Sequence, residues 1–428
     1  MTWKGKYHPL KWIIWSLSIL FLFYEYFIRV TPSVITTNLM ASFHIRAAGV
    51  GFLSAFYLYA YGLMQVPVGT LTDKFGARKL LTFACVLCAI GCFLFGSSET
   101  LLPAYIGRFL QGIGSSFGFI SMIYVCTHWF PQKRWAVLIG LGNSLGMLGS
   151  VFGQGPLRLA VNILDWRVVL LILAVIGLGL GTLIFLIIRN EPKSKSPNHT
   201  QKPKQIGLWK SLCIVMRNYR SWLVAIASGC YYSIFLGFGA LWGVPFLREA
   251  YGFSEEFAGF ATSMVYLGCV CGGPFIGYIS DHLKNRKPVL LIFTFLTLIA
   301  MCPIIYIPNL PTWLVFFLIF ITGLFGAGQL LTYVLAVELN PIEVKATSTG
   351  FTNMFAFIVG SALQPIMGKF LELWWNKKEV MGVAVYSVDN YVIALTWIPA
   401  LTAFALLLFF FVREKNKLVT LDHTEITS

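Results

Sequence analysis

The amino-acid sequence predicts an all-α membrane protein of twelve transmembrane helices in two pseudo-symmetric six-helix bundles, and three observations carry that prediction. The composition is 57% hydrophobic and only 11% charged, with a mean hydropathy of +0.75, far from the make-up of soluble domains. Twelve apolar runs are each long enough, at about 1.5 Å per residue, to cross about 30 Å of hydrocarbon. Segments of the first half also recur in the second at a near-constant offset. Lipid offers no hydrogen bonds to an open backbone, so spans this apolar must be helices, and the alternating pattern of a membrane barrel is absent.

Taken in order, the runs lie near residues 12–38, 49–70, 80–97, 103–127, 136–160, 166–188, 221–247, 256–279, 288–307, 312–336, 346–371 and 389–412. The first follows Lys4, Lys6 and Lys11 and so imitates a signal peptide. No small-residue cleavage site follows it and eleven more spans do, so it reads as the first transmembrane helix. Between the sixth and seventh runs lies "RNEPKSKSPNHTQKPKQIGLWK", polar, basic and rich in Pro and Ser, the composition of a flexible connector. The expected organisation is therefore an N-terminal bundle over 1–188, a linker over 189–220, a C-terminal bundle over 221–412 and a tail over 413–428.

The net charge of +15 could suggest a nucleic-acid partner, but its distribution decides otherwise. Most of the 32 Lys and Arg fall at the termini and in the even-numbered connections, which by the positive-inside rule places both ends in the cytoplasm. The match of Asn198-His199-Thr200 to a glycosylation acceptor is then accidental, because that chemistry does not occur there. Eight of the nine cysteines lie in or beside spans, which argues against a disulfide framework. Cys85-x-x-Cys88 has a metal or redox spacing but no His or carboxylate near it, so it reads as packing. No metal cluster, cofactor loop or catalytic triad is legible, and an enzyme is not expected.

The repeat is clearest in "GTLTDKFGARK" (69–79) and "GYISDHLKNRK" (277–287), offset by 208: Gly69, Asp73, Arg78 and Lys79 match Gly277, Asp281, Arg286 and Lys287. A second pair, "HWFPQKRWAVLIG" and "ELNPIEVKATSTG", is offset by 210. Six plus six spans, a long connector and G-x-L-x-D-x-x-G-x-R-K between spans two and three resemble the major facilitator superfamily over essentially the whole chain. Gly69, Leu71, Asp73, Gly76, Arg78 and Lys79 all stand where that motif wants them. The resemblance implies two bundles that rock about a central site and alternately open to each side, as expected of duplicated membrane halves. Gly69, Asp73, Gly76, Arg78 and Lys79, with Asp281 and Arg286 in the second copy, become gating candidates: Gly69 permits close helix approach, and the charges suit helix-end dipoles. Arg78 and Lys79 serving simply as positive-inside anchors is the alternative.

Within "FYEYFIRVTPSVI", Glu25 and Arg29 lie about 21 Å and 27 Å along the first helix from Lys11. A charge near mid-bilayer costs at least about 2.5–3.5 kcal/mol, so such a residue defaults to function. Four residues apart, the two share a face, and Pro32 should kink the helix beyond them. The 208-residue offset lands on Ser233 and Gly237, both uncharged, so the pair belongs to one half rather than to the repeated fold. An ion pair that merely fixes the first helix is the alternative reading.

Span four adds Arg108 and Gln111 in "GRFLQGIGSSFGF", and a similar Arg before a Gly-rich helix recurs in proton-coupled members of the superfamily. Tyr26-Phe27-Ile28-Arg29 is similar to a Tyr-x-x-Arg pattern of its organic-anion symporters. With both arginines facing a central cavity, surplus positive charge would favour an anionic substrate gripped by a guanidinium fork. Tyr26, Tyr61, Gln65, Gln111, Tyr231, Tyr232 and Asn353 are the further candidate substrate contacts. Tyr57, Trp242, Gln329 and Gln364 are weaker candidates for the same wall.

Glu25 is the candidate proton carrier: a substrate anion that captures Arg29 would free its carboxylate to take a proton. The expected activity is proton-coupled symport of a small polar or anionic organic solute, such as an organic acid, amino acid, peptide or carboxylate siderophore, by a monomer in a bacterial inner membrane. A drug or metabolite efflux antiporter is the alternative, although "GNSLGMLGSVFGQGPLRLA" lacks the closing glycines of the drug-antiporter pattern in span five. A non-transporting receptor on the same scaffold is the third possibility.

Overall fold

The computed structural model describes residues 8–190, 207–283 and 285–412, without the side chains of His8, Asp73, Ala136, Asp281 and Ile342. The sequon at Asn198, residues 191–206 of the basic linker and the tail lie outside the described residues. Among the described residues, twelve helices are long and apolar enough to span a membrane. They are α1 (Pro9–Val34), α2 (Ala47–Thr72), α3 (Lys74–Gly96), α4 (Leu101–Trp129), α5 (Gln132–Ile163) and α6 (Trp166–Ile187) in the first half. The second half holds α7 (Tyr219–Tyr251), α8 (Glu255–Ser280), α9 (Arg286–Tyr306), α10 (Thr312–Glu338), α11 (Lys345–Leu373) and α12 (Val388–Phe411). We call the side where α1 starts and α12 ends the terminal face, and the opposite side the distal face.

The helices touch where side chains vanish. A Cβ on Gly112 of α4 would collide with the Tyr57 carbonyl of α2, and one on Gly323 of α10 with the Val265 carbonyl of α8. Tyr57 and Val265 stand 208 apart, the offset of the repeated loop motif, so the two halves share one packing device at equivalent places. Without a hydrophobic drive between helices in lipid, such close backbone approach supplies much of the packing. Gly112→Val and Gly323→Val should each lower thermal stability by about 1–3 kcal/mol or more through overpacking. Melting curves of the purified variants test this, and unchanged melting at either position would refute it.

Three helices depart from regular geometry for legible reasons. α1 runs on past Pro32 and breaks at Ile35 (φ −117°, ψ 19°), after which a short helix, Thr36–Phe43, begins. α3 is broken near its start at Gly76, whose φ of 74° lies in the left-handed region and whose missing side chain leaves room for Asn190. In α7 the stretch Ile234–Trp242 is π-helical, a wider winding that leaves carbonyls free for side-chain donors. Gln364 Nε2 donates to the Leu236 carbonyl (2.7 Å), Tyr266 to that of Phe235 (3.0 Å), and Gln154 Nε2 of the opposite half to that of Gly239 (2.6 Å).

Candidate functional site

A cavity of about 740 Å³ lies at mid-depth between the halves, within the size range of small-molecule sites. The first half lines it with Tyr26, Tyr61, Phe119, Asn143, Ser144 and Met147, among others. The second half contributes Tyr232, Phe235, Gln329, Tyr333, Asn353 and Phe357. The lining reaches Val137, two residues after Trp135 starts the regular helix of α5 at the terminal face, so the cavity extends toward that face. Among the described residues no charged side chain lines it.

The charges sit one layer behind. Arg29 Nη2 donates to both carboxylate oxygens of Glu25 (2.8 and 3.1 Å), and the Tyr57 hydroxyl donates to Glu25 Oε2 (3.0 Å). Glu25 is 0% and Arg29 3% exposed. The guanidinium carbon lies 4.3, 4.8 and 5.2 Å from the ring centres of Tyr26, Tyr61 and Phe357, all of which face the cavity. The ion pair is thus screened from the cavity by three aromatic rings, each able to stabilise the cation through its face. Among the described residues Arg29 Nε has no hydrogen-bond partner, a deficit typically worth about 1–3 kcal/mol when buried. The arrangement holds a charge ready while leaving one donor unsatisfied.

Arg108 turns the other way. It lies over the Tyr57 ring (4.7 Å), and its Nη1 donates to Gln111 Oε1 (2.8 Å) and to the Ile28 carbonyl (3.1 Å). Ile28 is four residues before Pro32, whose missing N–H removes the helical partner of that carbonyl. Arg108 Nη2 adds longer bonds to the carbonyls of Arg29 (3.3 Å) and Ser54 (3.5 Å). Arg108 therefore caps a break that Pro32 makes in α1, and neither it nor Gln111, which also donates to Cys92, lines the cavity. Arg108→Leu should destabilise by about 1–3 kcal/mol, and Pro32→Ala should recover part of that loss by restoring the helical bond. A double-mutant cycle read by thermal melting checks it; strict additivity would contradict this role.

Of the remaining predicted contacts, Tyr26, Tyr61, Tyr232 and Asn353 line the cavity. Tyr231 does not: its hydroxyl donates to the Phe325 carbonyl (2.7 Å), and the ring is fully buried in the second half. Gln65 lies beside the wall, its Oε1 accepting from Asn353 Nδ2 (2.6 Å) across the two halves. Tyr57, Trp242 and Gln364 likewise face helix partners rather than the cavity. Asn143, Ser144 and Tyr333 line it and escaped sequence reasoning; their one signal was polarity inside apolar spans.

At the terminal face Arg78 stays within its own half. Its Nε donates to the Phe185 carbonyl (2.8 Å), its backbone N–H to Asn190 Oδ1 (2.9 Å), and its guanidinium lies over the Phe185 ring (4.6 Å). Lys79 is exposed, and among the described residues a Cβ on Gly69 would meet nothing within 4 Å, so no described helix packs closely on that glycine here. Arg286 donates to Ser280 Oγ (2.7 Å) and pairs with Glu338 (3.5 Å). The Asp73 and Asp281 side chains lie outside the described residues.

The distal face is instead crossed by contacts between halves. Glu255 of α8 pairs with Arg158 of α5 and with Arg248 (2.7 Å), and accepts from Thr37 (3.2 Å). Asn162 donates to Glu256, and the Ala47 and Ala48 N–H groups donate to Tyr386 (3.1 Å) and Glu372 (2.8 Å). A Cβ on Gly51 would press on the Gln364 carbonyl at 2.6 Å, so α2 and α11 touch backbone to backbone. The molecule is closed at the distal face, and its cavity extends toward the terminal one.

Twelve spanning helices in two related bundles around a central cavity that is shut at the distal face define a multi-pass membrane carrier. The Major Facilitator Superfamily model matches residues 16–244 and again 224–426, and the chain belongs to that family. It is 22% identical over 422 residues to a probable hexose phosphate transport protein of Chlamydia pneumoniae, covering 92% of each chain. It is 25% identical over 407 residues to the membrane sensor protein UhpC of Salmonella typhimurium, covering 88% of each. The solved structure of a mutant of the nucleoside transporter NupG superposes with a TM-score of 0.73 at 15% identity, covering 95% of this chain and 100% of that one, a likeness of fold. Membrane transport of a small molecule is the function this membership supports.

Proposed function

We propose that this chain is a proton-coupled symporter that imports a small organic anion across a bacterial inner membrane, as a monomer with both termini in the cytoplasm. The observation that carries the reading is the buried Glu25–Arg29 pair directly behind the cavity wall of Tyr26, Tyr61 and Phe357. An anion that displaces those rings meets a guanidinium with an unused donor and can replace Glu25 as its partner, which lets Glu25 accept a proton. Tyr26, Tyr61, Tyr232 and Asn353 then contact the solute, while Arg108, Gln111, Gln65 and Tyr231 position the helices around it. The loop residues Gly69, Asp73, Gly76, Arg78, Lys79, Asp281 and Arg286 act when the terminal face closes. A relative named as a hexose phosphate transport protein is consistent with an anionic solute, and the basic terminal face supports the orientation.

The test is anion uptake into proteoliposomes under an imposed pH gradient. Glu25→Gln should abolish the response to the gradient yet keep solute exchange without one; gradient-driven uptake that survives in Glu25→Gln removes Glu25 as the carrier. A second reading, signal reception without transport, is favoured by the likeness to a membrane sensor protein. Counterflow separates the two, since a sensor exchanges no solute.

A further inference from the structure

The second half faces the cavity with a chain of neutral hydrogen-bonding groups of which the ion-pair reading uses Asn353 alone as a solute contact. Gln329 Nε2 donates to the Tyr333 hydroxyl (2.9 Å), which donates to Asn353 Oδ1 (2.6 Å), and Asn353 Nδ2 donates on to Gln65 (2.6 Å). The other end is tied down by Ser228 Oγ, which accepts from Gln329 Nε2 (2.9 Å). Three polar side chains on α10 and α11, all lining the same cavity, are thereby fixed in place. Polar groups in apolar spans are costly to keep, and these are placed where a solute sits. Gln329 Oε1 has no hydrogen-bond partner among the described residues, so an acceptor remains for a solute donor.

The charge, in contrast, belongs to the first half, so the cavity has an anion pole on α1 and a neutral pole on α10 and α11. We propose that Gln329, Tyr333 and Asn353 form a hydroxyl-reading subsite, and that the solute is a small organic anion carrying two or more hydroxyl groups. The inference rests on the anion reading above. The anionic end lies toward Arg29, while hydroxyls donate to Gln329 Oε1 and to the remaining lone pair of the Tyr333 phenol oxygen, whose own proton is given to Asn353. A site built to bond a hydroxyl discriminates strongly against the analogue lacking it, because its own polar groups are then left unpaired.

Matched probes test it by binding to the purified protein: gluconate against hexanoate, glycerol 3-phosphate against propyl phosphate, and sorbitol as the neutral polyol. In at least one pair the hydroxylated member should bind about 10-fold or more tighter. Tyr333→Phe, and independently Gln329→Met in case the first fails to fold, should shrink that ratio to about 3-fold or less while the hydroxyl-free anion binds within about twofold of wild type. A residue that merely stiffens α10 would weaken both members alike and leave the ratio intact. Equal affinity within both pairs, no binding of either hydroxylated anion, or a ratio that survives in both variants overturns the subsite. Sorbitol binding as tightly as gluconate sinks the anion reading instead, with the hydroxyl subsite left standing.

Discussion

Arg29→Ala should abolish transport and lower the stability of the folded protein by about 3–5 kcal/mol, the cost of stranding a buried charge without its partner. The stranded group is Glu25, which is fully buried and, among the described residues, keeps only the Tyr57 hydroxyl as a donor once Arg29 is gone. Loss of stability alone would not separate a transport role from a helix-fixing one. The double variant Glu25→Gln/Arg29→Gln does, because it removes both charges, leaves amides able to bond each other and Tyr57, and should recover most of the melting temperature. If the pair only holds α1 in place, transport returns with stability. If it receives the anion, the double variant melts near wild type and still shows no counterflow. Wild-type transport in the double variant would end the anion-receiving account.

Much of this arrangement was legible because the bilayer constrains sequence severely. Glu25 and Arg29 stood out against an apolar helix, and their four-residue spacing is enough to bring Arg29 Nη2 to within 2.8 Å of the carboxylate. The twelve spans follow from hydropathy and length in the same way. What sequence could not yield is the direction of side chains that answer distant backbone. Arg108 looked like a second cavity cation, but it serves a carbonyl 80 residues away that Pro32 leaves unbonded. Tyr231 and Tyr232 are neighbours about 100° apart around α7, so one packs on α10 and the other faces the cavity. The π-helical winding over Ile234–Trp242 carries no periodic signal, since every residue in it is buried. Tyr333 was missed although it follows Gln329 by one helical turn, the spacing that lets the two bond.

Replacing Glu255 by Gln should open the distal face. Glu255 is the meeting point of Arg158, from the opposite half, and Arg248 from its own. Gln at that position keeps a hydrogen bond but neutralises neither cation, so the two guanidinium groups repel across the seam. Part-exposed ion pairs are individually weak, about 0.2–1 kcal/mol each. Two lost pairs plus the repulsion amount to about 1–2 kcal/mol, a population shift of about 5- to 30-fold toward the distal-open state. Met40 reports it: the residue lines a small crevice beside Glu255 and is only 6% exposed in the closed form. With Cys302, a half-buried thiol near the distal end of α9, changed to Ser to lower background, Met40→Cys should react with a membrane-impermeant maleimide, added from the distal side, about 5- to 30-fold faster when Glu255 is Gln. The terminal face must close as the distal face opens if the halves rock as rigid bodies, so uptake that starts from the distal side should change in parallel. An unchanged labelling rate would mean that backbone contacts such as Gly51 against the Gln364 carbonyl hold the distal face shut without help from the charges.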